Sequence, residues 1–238
     1  MATAGGAGAP ADPVDSVDLQ SDPDLRAVDG RVPGRRGMAT RERLLDHTNQ
    51  LLATTSYRDL KVVDIAREAG VSPATFYQYF PDAESALLAL ADRLIGEGGE
   101  RLTQPFRRAT WEGRAAYDAC EDVASAFLEF WIDHSALMAV IDLAALEGDQ
   151  RFRDCRTHLL SRFTISATDV ITEQQRLGFA PAELNPLATA VVLVSMLAHV
   201  AAHQYGIGGA GVGTDELRDA MARLIYTGVT GLTPPSNP

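Results

Sequence analysis

The sequence predicts an all-α protein in two unequal parts, three short helices near the N-terminus and a larger helical region after them. Two observations predict it. Apolar residues recur at three- and four-residue spacing from Met38 to about Thr227, with no strand-like alternation and no internal repeat. Helix punctuation (capping Ser, Asp and Thr, stop-signal Gly, start-signal Pro) falls between the periodic stretches.

Residues 1–36 are rich in Ala, Gly, Pro and Asp and lack periodicity, which reads as a disordered arm with a basic end, Arg31, Arg35 and Arg36. A first helix is expected from Met38 to about Thr54 or Thr55, with Leu44, Leu45, Leu51 and Leu52 as its inner stripe. A second, shorter helix carries Val62, Ile65, Ala66 and Ala69 on one face and stops at Gly70, a residue at ease in the left-handed conformation that closes helices. Ser72 and Pro73 open a third: Ser is a favoured N-cap, and Pro suits the first helical position, where its missing N–H goes unused. Phe76 and Phe80, four apart, point inward. Thr75, Tyr77, Gln78 and Tyr79 are left for the other faces, and Ser72, Pro73 and Ala74 at the helix start join them as the candidate DNA-binding residues.

Two helices joined by a tight Gly-containing turn form the helix-turn-helix signature, in which the second helix enters the DNA major groove. Thr75, Tyr77 and Tyr79 are expected to hold phosphates through their hydroxyls, and Lys61 to add a charge. Pro73, Ala74 and Gln78 are the candidates for base edges, since Gln can pair with adenine and Ala can touch a thymine methyl. Arg35 and Arg36 either touch the DNA beside the main motif or belong to a solvated tail.

The string Asp64-Ile65-Ala66, Ala69-Gly70-Val71-Ser72, Thr75-Phe76-Tyr77-Gln78-Tyr79-Phe80, Glu84 and Leu87-Leu88 resembles the TetR (tetracycline-repressor) family of transcription regulators, over roughly residues 38–97. The resemblance implies an N-terminal DNA-binding domain, a C-terminal helical ligand-binding and dimerisation domain, and a homodimer on a palindromic double-stranded operator. Two positions depart from the family's pattern. Lys61 stands where Thr is common, and Ala83 where a phosphate-contacting Lys is common.

The net charge of −11 argues against nucleic acid until its distribution is read. Residues 1–30 carry one Arg against six Asp, residues 31–93 nine basic against eight acidic groups, and residues 94–238 eleven against eighteen. The motif thus sits in the least acidic part of the chain. No run reaches the ~18 uninterrupted apolar residues of a membrane span, and the acidic N-terminus is unlike a secretory signal. Cys120 and Cys155 lack metal-ligand spacing, so the expectation is reduced thiols in a cytoplasmic protein.

Asp82 caps a fourth helix after Pro81, with Leu87, Leu88, Leu90, Leu94 and Ile95 inside, and Gly96, Gly98 and Gly99 are expected to weaken its middle. The expected division is arm 1–36, DNA-binding domain 37–97, ligand-binding and dimerisation domain 98–231, and tail 232–238. In the second domain helices are expected near 113–133, 135–146, 149–177 and 184–205, then a Gly-rich link 206–213 and a last helix from Thr214 or Asp215. Tyr117, Phe127, Phe130, Trp131, Met138, Phe152 and Phe163 either line a pocket for a small, largely apolar effector or form ordinary core. Helix 184–205 is apolar on nearly every face, so it is either a central core helix or a pairing helix. On the second reading Leu187, Val191, Val194, Leu197, Ala198 and, from the last helix, Leu224 form the dimer interface. His199 and His203 are four apart but lack a third ligand, so no metal is assigned. No cofactor or catalytic motif is found.

The reading is a homodimeric repressor released by its effector. The alternatives are an activator, or an all-α ligand carrier or enzyme with a vestigial helix-turn-helix.

Overall fold

The computed structural model describes Val28, residues 33–209 and residues 211–235. Helices α1 (Arg35–Leu52), α2 (Val62–Glu68) and α3 (Pro73–Tyr79) form the head, with a single 3-10 turn at Tyr57–Asp59. Helix α4 (Ala83–Arg108) leaves the head and enters the body, which is completed by α5 (Gly113–Asp133), α6 (Ser135–Leu146), α7 (Gln150–Arg176), α8 (Pro186–Gly208) and α9 (Thr214–Thr230). No strand occurs among the described residues.

The head is closed by Leu44, Leu45, Ile65, Ala66, Phe76 and Phe80, all buried, with Leu87 and Leu90 of α4 beneath them. Phe76 and Phe80 pack with centroids 5.6 Å apart. Arg41 of α1 is buried, with its guanidinium over the Phe80 ring at 5.3 Å. This cation–π contact ties the start of α1 to the end of α3. Arg93 of α4 bonds Asp46 at 2.8 Å and Glu42 at 3.2 Å, which holds α1 along α4.

Three helices differ from expectation. Helix α1 begins at Arg35, so Arg35 and Arg36 occupy its first turn rather than a loose arm, and it ends at Leu52. Helix α4 does not weaken at its glycines; it runs unbroken for 26 residues through Gly96, Gly98, Gly99 and Pro105. The reason is close packing. A Cβ on Gly98 would lie 2.6 Å from both Leu159 Cδ1 and Phe130 Cζ, so Gly98 is the seat against which α5 and α7 rest. Helix α8 starts at Pro186 behind the Asn185 cap and continues through Gly206 to Gly208, so the link is shorter than 206–213.

In the body Phe106, Phe127, Phe130, Phe152 and Phe163 are fully buried with Tyr117. Phe163 touches Phe106 at 5.2 Å and Phe127 at 5.0 Å, and Phe127 stacks on Trp131 at 5.8 Å. Tyr117 meets Tyr226 of α9 at 5.8 Å and donates its hydroxyl to Asp219 at 2.9 Å. Burial, then this hydrogen bond, pushes the Tyr117 phenol up to about 12.

Candidate nucleic-acid interface

Local chemistry sets the geometry of α3. Gly70 adopts φ +66, which turns the chain at the end of α2. Ser72 is extended, and its Oγ accepts the Thr75 backbone N–H at 3.1 Å. The Ser72 and Thr75 hydroxyls also bond each other at 2.9 Å, so part of the Thr75 hydroxyl's capacity is spent on the cap. Phe76 points inward, and Ser72, Pro73, Ala74, Tyr77 and Gln78 are left exposed on one side of the head. Tyr77 is 51% exposed, and its ring leans edge-on against Phe76 at 5.8 Å. Tyr79 is half-buried, and its hydroxyl lies over the start of α1 at Gly37, which makes it part of the head's packing as well as of its rim.

Charge near α3 is sparse. Arg67 is engaged with Asp64 at 2.9 Å and with Glu68 at 3.5 Å. Lys61, the N-cap residue of α2, is exposed and makes no ion pair among the described residues. Arg35 and Arg36 are exposed and directly precede Gly37, the residue that Tyr79 lies over. Upstream, Val28 donates its N–H to the Gln78 carbonyl at 3.0 Å. Asp82 caps α4 by accepting from Ser85 N–H at 2.7 Å, and Ala83 follows as the first helical residue.

A second set of contacts fastens the head to the body. Tyr57 donates its hydroxyl to Glu147 at 2.8 Å, and Arg58 forms an ion pair with the same carboxylate at the end of α6. Arg151 of α7 pairs with Glu84 of α4 and with Asp149 at 2.6 Å. Its hydrogen bonds hold the Asp149 carboxyl well below the usual carboxylate range. Around these contacts lies a cleft of about 500 Å³ that Tyr57, Glu84, Leu87, Glu147 and Phe152 border. Sequence reasoning missed Arg41, Tyr57 and Glu147. Tyr57 and Glu147 are 90 positions apart, and no local pattern links them.

Of the expected pocket residues, Phe127, Phe130, Trp131 and Phe163 are brought together in ring contacts, while Tyr117 packs on Tyr226. Tyr117, Phe127, Phe130, Trp131, Met138 and Phe163 are buried, and Phe152 borders the head–body cleft. The indole N–H of Trp131 and the hydroxyl of Thr103 are buried without a hydrogen-bond partner among the described residues. The expected interface residues divide. Val194, Leu197 and Ala198 are buried in the chain's own core and are corrected to core positions, because they fall on the side of α8 that packs on α5 and α7. Leu187 (56%), Val191 (45%) and Leu224 (54%) are exposed, and Val192 (67%) joins them. By length and composition α8 would suit a membrane span, as core helices of folded domains often do, but only 33% of that apolar stretch is buried within one chain.

A capped helix-turn-helix on a buried three-helix core, joined by one long helix to a helical body, defines a helix-turn-helix transcription regulator. Comparison with known proteins agrees. Residues 102–236 match the family described as tetracyclin repressor-like, C-terminal domain, and residues 44–90 match bacterial regulatory proteins of the tetR family. The HTH-type transcriptional regulator EthR of Mycolicibacterium smegmatis is 28% identical over 188 residues, which cover 76% of this chain and 85% of that protein. EthR of Mycobacterium tuberculosis is 31% identical over 128 residues, covering 42% and 58%. In fold, the fatty acid degradation regulator FadR from Bacillus halodurans superposes with a TM-score of 0.64 at 18% identity, covering 84% of this chain and 98% of that one. FadR from Bacillus subtilis in complex with stearoyl-CoA superposes at 0.61 and 18% identity, covering 80% and 98%. The chain belongs to the TetR family and is a DNA-binding transcription regulator.

Proposed function

We propose that the protein is a homodimeric repressor that leaves a palindromic operator when a small, largely apolar effector enters the body, and that it works in the cytoplasm. Helix α3 enters the major groove. Ala74 and Gln78, with Pro73, read base edges. Thr75, Tyr77, Tyr79 and Lys61 hold phosphates, with Arg35 and Arg36 at the rim. The observation that carries this reading is the exposed, uncharged face of α3, whose opposite face is anchored by Phe76. Two heads reach half-sites about one helical turn apart if the chains pair through the exposed face of α8 with Leu224 of α9. An effector that favours a different head spacing releases the DNA, provided it binds the two states with different affinity. The unpartnered Trp131 and Thr103 polar atoms within the aromatic core support an interior that can rearrange around a guest.

The test is a salt series of operator binding. Tyr77→Phe should weaken all DNA sites alike. Gln78→Ala should cost about 1–3 kcal/mol at one base pair and relax preference there. Wild-type behaviour of both variants would place the groove contact elsewhere.

A further inference from the structure

Helix α8 runs 23 residues without an Asp, Glu, Lys or Arg, and its ionisable side chains are His199, His203 and Tyr205. Both histidines are exposed. Their rings stack with centroids 4.3 Å apart and 30° between planes. His203 Nδ1 lies 2.9 Å from the His199 carbonyl oxygen. An imidazole anchored there donates Nδ1–H to the carbonyl and keeps its Nε2 lone pair outward, the arrangement usual for metal-ligating histidines.

Position matters as much as chemistry. Ala188, Val192, Ser195, His199, Ala202 and Gly206 recur at alternating four- and three-residue steps and are all exposed, so they form one stripe along α8. His199 stands near its middle. The other five are small or uncharged, which lets a second helix approach closely. Asp142 of α6 lies near His203 but is committed to Arg156 at 3.0 Å. Among the described residues no group of three His, Cys, Asp or Glu could hold a metal ion, so one chain offers two ligands. Structural zinc takes four.

We propose that His199 and His203 of one protomer, with the same pair from a second copy, bind one divalent transition-metal ion of the zinc class across the α8 seam. This rests on the pairing through α8 given above. Imidazole nitrogen donors and the absence of carboxylates on α8 select such an ion over calcium or magnesium, which take oxygen ligands. A metal held only by the dimer tightens association by the factor 1 + [M]/Kd, about a hundredfold at free zinc near 100 times Kd.

The test uses the full chain without an affinity tag, zinc chloride as the probe, calorimetry for stoichiometry and sedimentation equilibrium for association. The expected result is one zinc per two chains and a dimer dissociation constant at least about tenfold lower in zinc than in EDTA. His199→Ala and His203→Ala should each abolish both effects with the helical circular dichroism intact. If Val192→Glu splits the dimer but zinc neither binds nor tightens it, the pairing stands and the metal site is overturned. Zinc binding that survives His199→Ala also overturns it. A chain that stays monomeric, or a dimer indifferent to Val192→Glu, overturns the α8 pairing and the shared site together.

Discussion

Helices α2 and α3 of the head are seven residues each, divided by the Gly70 turn and the Ser72 cap, whereas α4, α5, α7 and α8 of the body run 26, 21, 27 and 23 residues. Helices of two turns are unstable alone. They persist in the head because Ile65, Phe76 and Phe80 bury their shared face. The body's helices have length to spare, and their limits are set by neighbours: α4 crosses three glycines and a proline because α5 and α7 close on Gly98. The head therefore depends on a few side chains, and the body on the fit of long surfaces.

That contrast breaks most readily at Phe76. Phe76→Ala should cost about 3–5 kcal/mol, enough to melt the head while the body stays helical. Hydrogen exchange resolved by segment checks this: loss of protection confined to α1–α3 is expected, and global loss would mean that head and body fold as one. Next in size is Gly98→Ala, which forces a methyl group against Phe130 and Leu159. Overpacking of that kind costs about 1–3 kcal/mol, and here it should lower the melting temperature of the body while protection within the head is retained. An unchanged melting temperature would mean that α4 slides freely at this point.

A smaller effect separates the regions by pH. The Tyr117 phenol is raised to about 12 from 10.0, first by burial and then by Asp219. Its contribution to stability is complete below pH 10 and is lost as pH rises through 12. Thermal melts across that window should show a steeper decline for wild type than for Tyr117→Phe, with equal slopes counting against a buried neutral phenol. The smallest effect sits between the regions. Glu147→Ala removes the partner of half-buried Tyr57 and exposed Arg58 from a solvent-facing contact, so stability should change by less than about 1 kcal/mol. Operator affinity should change more than stability does if this contact sets the head's angle. Identical affinity would mean that the Glu147 contact does not set the head's angle.

Much of the head was legible because its signals are local. Gly70, Ser72-Pro73 and Asp82 act within a few residues of themselves, and each does in the fold what its residue type does in a peptide. The exposed side of α3 followed from the positions of Phe76 and Phe80 alone. The start of α1 did not, since a Gly34 cap carries no side-chain signal. In the body, helix positions were legible but their faces were not. Because α8 is apolar all round, periodicity could not tell Val194, Leu197 and Ala198, which turn inward, from Leu187 and Val191, which stay exposed.

The sequence by itself determined the all-α class and the capped helix-turn-helix, because caps, turns and periodicity are written in neighbouring residues, and its motif string resembled the family. Only the tertiary structure decided that α4 is continuous, that Tyr57 and Glu147 meet across 90 positions, and which stripe of α8 is left open with His199 near its middle. Those features depend on which surfaces press together, and packing between distant segments leaves no local mark on the chain.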